Sequence, residues 1–118
     1  VIVLYDFMSL LEEKCIPCKS REPPLGHIEI SNLLKNIEEW KLLDNGHLFK
    51  NYKFKTFMDS ITFVNDVADV AEKEGHHPNI YVKYNKVEIE LWTHAIKGLS
   101  RNDFILAAKI DNEYKEYL

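Results

Sequence analysis

The chain has 118 residues, 46% of them hydrophobic, so it can bury the core of a single domain without disulfide staples. Its 15 basic and 19 acidic residues give a net charge of −4, which argues against a broad phosphate-binding surface and so against direct nucleic-acid binding. No apolar run approaches the roughly 20 residues of a membrane span and no signal-peptide pattern is present, so a soluble, cytoplasmic protein is expected.

Residues 1–27 read as an N-terminal extension and 28–118 as one domain. In the extension, a helical segment over 5–14 leads into Cys15-Ile16-Pro17-Cys18 and then Pro23-Pro24. The Cys-x-x-Cys spacing suits half a zinc site or a redox pair, yet a structural zinc wants four ligands and no second pair exists. Two reduced thiols in a loop are therefore expected, with zinc completed by a histidine or a partner chain as the alternative.

Over 28–40, Ile30, Leu33, Leu34 and Ile37 have helical spacing. The runs 40–43 and 48–54 then flank Asp44-Asn45-Gly46-His47, whose Asn-Gly pair predicts a first hairpin. Trp40, where helix passes into strand, suits a core residue first and a ligand contact second.

The next helix has both ends marked. Thr56 is an N-cap with Asp59 three residues on, and Gly75 is a left-handed C-cap. Phe57, Ile61, Val64, Ala68 and Ala71 form its apolar stripe, widened by Val67 and Val70, so one side is expected on the sheet and another on a partner. The helix delivers His76 and His77 just past its C-terminus, where the last carbonyls favour a protonated imidazole.

A second hairpin follows over 80–84 and 87–92, with Asn85-Lys86 as its turn. That turn sets Val82 opposite Ile89, Ile80 opposite Leu91 and Lys83 opposite Glu88, one face apolar and the other charged. Carried to the open end, it brings His77 beside His94, with Pro78 ending regular pairing. Ser100 caps the last helix, which runs to about residue 113, and Leu99 with Phe104 makes a hydrophobic staple. Asp103, at the third helical position, is explained as a capping carboxylate, although one oxygen could cap while the other faces a ligand.

Three of the five histidines thus converge on one end of a half-buried hairpin. As metal ligands they are poorly placed: His76 and His77 are adjacent and point apart, and no His-x-x-x-His or carboxylate pair completes a set. Nucleophilic catalysis lacks a Gly-x-Ser-x-Gly elbow, and the cysteines are distant in sequence. Proton transfer fits best, since near neutral pH one imidazole can donate while another accepts.

The elements Glu72-Lys73-Glu74-Gly75-His76-His77-Pro78, Tyr84-Asn85-Lys86-Val87, Thr93-His94 and Gly98-Leu99-Ser100-x-x-Asp103 closely resemble the pterin-4a-carbinolamine dehydratases, also known as dimerization cofactors of a homeodomain transcription factor. The resemblance covers essentially residues 28–114. It implies an α+β fold, a four-stranded antiparallel sheet with helices on one face in the order α-β-β-α-β-β-α. It also implies loss of water from a 4a-hydroxytetrahydropterin, with no metal or organic cofactor, in tetrahydrobiopterin recycling.

By the same resemblance the catalytic residues are His76, His77 and His94: His76 and His94 form the proton-transfer pair, and His77 positions substrate and shares in the transfer. Glu72, Pro78, Trp40 and Asp103 belong to the pocket, and the strand end at Trp92 and Thr93 offers backbone groups to the pterin edge. Trp92 departs from the pattern, which has a smaller residue there; its bulk would narrow the pocket or stack on the ring. A homodimer or homotetramer is expected, and the competing reading is a non-catalytic module that stabilises a partner protein's dimer through a helix face.

Overall fold

A computed structural model describes residues 4–17 and 22–118. Cys18, the second cysteine of the Cys-x-x-Cys pair, lies outside them. The described elements are α1 (Leu4–Glu12), α2 (His27–Leu34), β1 (Lys41–Leu42), β2 (Leu48–Lys53), α3 (Phe57–Glu74), β3 (Asn79–Lys83), β4 (Lys86–Leu91) and α4 (Arg101–Tyr114), with short 3₁₀ turns at His94–Ile96 and Lys115–Tyr117. The four strands form one antiparallel sheet in the order β1-β2-β4-β3, giving the α+β architecture expected.

Strand periodicity decides which face meets the helices. In β4, Val87, Ile89 and Leu91 are fully buried while Glu88 and Glu90 alternate with them on the other face. Leu48 and Tyr52 of β2 join the buried set, against Phe63 and Val67 of α3 and Phe104 and Leu106 of α4. Each such side chain contributes about 1.5–3 kcal/mol by leaving water. α4 packs against both α1 and α3, which is why seven consecutive residues, Asn102 to Ala108, are buried with no polar stripe between them. Phe7, Leu10 and Cys15 of the N-terminal segment belong to the same cluster.

Local signals set the turns. Leu43 N–H donates to the His47 carbonyl at 2.9 Å around Gly46, whose φ of 86° suits glycine, and the first hairpin closes there. Thr56 Oγ1 accepts from Asp59 N–H at 3.0 Å, and Gly75 ends α3 with φ 64°.

Three expectations are corrected. The helix read over 28–40 stops at Leu34: Ile37 and Trp40 are buried, but they reach the core from an irregular turn in which Glu39 has φ 62°. Their spacing recorded burial, not conformation. The core face of α3 runs through Ser60, Phe63, Val67 and Ala71, so Val67 is central to the stripe, while Ala68 is exposed and Phe57 is 46% exposed.

The second hairpin turns one residue earlier than expected, at Tyr84-Asn85. Lys83 therefore faces Lys86, Val82 faces Val87 and Ile80 faces Ile89. The cause is tertiary: Asn85 is held by the end of β2, its carbonyl accepting from Phe54 N–H at 2.8 Å and its amide donating to the Phe54 carbonyl at 3.2 Å. Tyr84 takes the positive φ, 54°. Each partner moves by two positions, so every side chain keeps its face. Lys83 and Glu88 still meet at 3.0 Å, now diagonally.

Candidate active site

The C-terminus of α3 aims the first two histidines. Gly75 N–H bonds back to the Ala71 and Glu72 carbonyls and His76 N–H to Ala71, a left-handed cap that turns the chain sharply out of the helix. His76 is driven inward, its side chain 11% exposed and its Nε2 2.6 Å from Asp103 Oδ1. The next residue points the other way: His77 is 60% exposed, with Nε2 3.5 Å from Glu72 Oε2. Pro78 enters β3, where pairing begins only at Asn79.

Asp103 is fully buried and organises one wall. Its Oδ2 accepts from Ser100 N–H at 2.9 Å, the cap expected of it, and from Thr93 Oγ1 at 2.8 Å. The other oxygen is spent on His76. Asp103 engages Nε2, so Nδ1 is the ring nitrogen left for other work. Thr93 itself is committed: its N–H donates to the Gly98 carbonyl at 2.8 Å, closing the turn that begins at His94, so that N–H is not free for a ligand edge.

His76, His77, Thr93 and His94 line one cleft of about 310 Å³. The opposite wall was not legible in the sequence: it is Cys15, Ile16 and Pro17. Asn102 fixes that segment by accepting from Ile16 N–H at 2.9 Å and donating to the Ile16 carbonyl at 2.6 Å, as a strand partner would. Glu74 accepts from Cys15 N–H at 2.8 Å and pairs with Lys109 at 2.9 Å. Burial works to raise the Glu74 carboxyl, but those two donors outweigh it and hold it below its usual value. Burial first, and Glu74 second, push the Cys15 thiol up to about 12.

Five expected pocket residues do not line the cleft: Asp103, fully buried, meets it through His76, Pro78 leads into β3, and three more stand elsewhere. Glu72 reaches the cleft only through His77. Trp40 is in the core beside Tyr52, its Nε1 donating to Asp111 Oδ2 at 3.1 Å, while Lys50 Nζ meets Asp111 Oδ1 at 2.8 Å and Tyr52 OH donates to the same oxygen. Burial lifts the Asp111 carboxyl above its usual range despite Lys50 beside it. A larger hollow of about 430 Å³ over Lys50 and Asp111 contains no histidine. Trp92 does not line the cleft; it stands behind His94, ring centroids 4.1 Å apart. Among the described residues, the one cluster of ligand atoms close enough to share an ion is Asp66, Glu113 and Glu116, which includes no cleft residue.

The family model described as pterin 4 alpha carbinolamine dehydratase matches residues 23–113. The chain belongs to the pterin-4a-carbinolamine dehydratase family. A Rickettsia canadensis relative named "Putative pterin-4-alpha-carbinolamine dehydratase" is 48% identical over 105 residues, covering 88% of this chain and 96% of its own. One of the same name from Alkaliphilus metalliredigens is 44% identical over 109 residues, covering 92% and 98%. Among solved structures, a transcriptional coactivator/pterin dehydratase from Brucella melitensis superposes with a TM-score of 0.74 at 30% identity, covering 76% of this chain and 97% of that one. A pterin dehydratase-like protein described as a RuBisCO assembly factor in the alpha-carboxysome gives 0.57 at 26% identity, covering 64% and 89%. These two structural neighbours are thus described by coactivation or assembly as well as by dehydratase chemistry.

Proposed function

We propose that this cleft dehydrates a 4a-hydroxytetrahydropterin to the quinonoid dihydropterin. The observation that carries the reading is the meeting of His76, His77 and His94, from two separate segments, around one ligand-sized space. The C4a–O bond breaks and the hydroxyl departs as water with a proton from one imidazole. The N5 proton passes to another as the C4a–N5 double bond forms, so atoms balance and nothing is oxidised or reduced.

His76 and His94 are the transfer pair, and His77, exposed at the rim, positions the substrate. Positioned acid–base groups supply about 10²–10⁴-fold. Rates with His76→Ala and His94→Ala are the test: each is expected to fall about 10²-fold or more with the fold intact, and parental rates in both would remove the role assignment. Recycling of tetrahydrobiopterin in the cytoplasm, without metal or organic cofactor, is the setting this chemistry suits.

Self-association belongs to the same reading. β3 is an edge strand whose Tyr81 and Val82 are exposed, as is Tyr84 in the turn after it, the kind of edge another copy pairs with. The second reading, a binding module, is favoured by the assembly-factor relative and by Phe57 and Met58 of α3, 46% and 65% exposed. Purified protein that captures a helical partner but leaves 4a-hydroxytetrahydropterin unconverted, histidines intact, would decide for binding.

A further inference from the structure

His76 and His77 each have a carboxylate beside them; His94 has none. No hydrogen bond among the described residues involves its ring, and the residue is exposed. What touches it is the indole of Trp92, at 4.1 Å and 34°. The other neighbour of that indole is His47, stacked in parallel at 4.0 Å and 1°.

The sheet explains this order. Leu48 faces Leu91, so one step outward the register sets His47 opposite Trp92. Glu90, Trp92 and His94 follow at intervals of two along β4 and beyond it, on the face away from the helices.

His47 is itself held. Its Nδ1 lies 2.5 Å from Glu90 Oε2, and the two side chains are only 19% and 14% exposed on an otherwise open face. Asn45 Nδ2 reaches Glu90 Oε2 at 3.4 Å and Tyr81 OH donates to Oε1 at 3.1 Å. Burial tends to raise the Glu90 carboxyl, but these donors, His47 foremost, hold it below its usual value. The arrangement runs without a break from the clamped His47–Glu90 contact, through two stacked rings, to the histidine at the cleft.

We infer that His47 and Glu90 are positioning residues that fix the ring of His94 through Trp92. The inference rests on the dehydratase reading above for what His94 does, and on the stack alone for how it is held. An exposed imidazole with no hydrogen bond otherwise samples several rotamers, and a displaced proton-transfer group costs rate more than binding. The reach of Trp92 is thus turned to holding a side chain and not to gripping the pterin.

Steady-state dehydration by the parent, Trp92→Ala, His47→Ala and the double variant is the test, with NMR of the His94 ring protons beside it. Trp92→Ala is expected to lower kcat about 3- to 10-fold with KM little changed, and His47→Ala about 2- to 5-fold. The double variant should be no slower than Trp92→Ala, because His47 acts only through the indole. In the parent the indole shifts the His94 ring protons upfield, and Trp92→Ala returns them to ordinary positions. Unshifted signals in the parent, parental kcat in both single variants, or additive losses in the double overturn the proposal. A parent with shifted signals but no dehydratase activity would remove the functional reading instead, and leave the stack standing.

Discussion

Asp103 shows how one side chain can satisfy two demands. The helix cap takes one oxygen and His76 the other, so the capping carboxylate read from the sequence divides its oxygens as expected, with a histidine and not a ligand on the second. Asp103→Asn keeps a capping oxygen but removes the charge that orients His76. We expect kcat to fall about 10²-fold while stability drops only about 1–2 kcal/mol, read from rates and thermal unfolding side by side. A purely structural Asp103 would reverse those proportions. Cys15 supports a second expectation at this scale. With its thiol pushed up to about 12, only about one part in ten thousand is thiolate at pH 8, so iodoacetamide should label Cys15 only after denaturant is added, as mass spectrometry would show.

Elements, more than single residues, aim the histidines. Gly75 is the pivot, and a Cβ there would meet no atom within 4 Å, so the cost of Gly75→Ala is the positive φ alone. About 1 kcal/mol of stability should be lost, with kcat down roughly tenfold as the exit angle of His76 relaxes. Both ends of α3 were readable because caps are local chemistry. Its buried face was not. The apolar positions Phe57, Ile61 and Ala68 drew the stripe to one side, whereas packing chose Phe63 and Val67, the pair that the sheet and α4 enclose. The second hairpin carries the same lesson: Asn85 was recognised as a turn residue, but its bonds to Phe54 across the sheet set which turn position it took.

At the scale of the whole molecule, the N-terminal segment is tied to the cleft by Glu74, Asn102 and the Arg101–Glu13 pair at 2.6 Å. Glu74 makes this tie sensitive to acid. Its folded carboxyl sits below the usual glutamate value of 4.5, so its contribution is fully present above that pH and is lost as pH falls through the folded value. Glu74→Gln should cost about 1–3 kcal/mol at pH 7, and the gap between variant and parent should close as pH drops below 4.5, followed by denaturant unfolding at each pH. A gap that stayed constant with pH would refute the ion-pair account. Asp111 and Glu113 run oppositely: raised by burial, they add stability that fades as pH rises through their folded values.

The amino-acid order alone marked the turn at Asn45-Gly46, the caps at Thr56, Gly75 and Ser100, and the placing of His76 and His77 just past Gly75; it named Asn85 as a turn residue without setting its position. These are decided within a few residues, where backbone sterics and nearest hydrogen-bonding groups dominate. Packing alone decided that Trp40 belongs to Asp111, that Cys15–Pro17 walls the cleft, and that His47 stands behind His94 with Trp92 between them. Each of those joins residues remote in sequence or across the sheet, and such a meeting is fixed only when strands have chosen their register and helices their buried face.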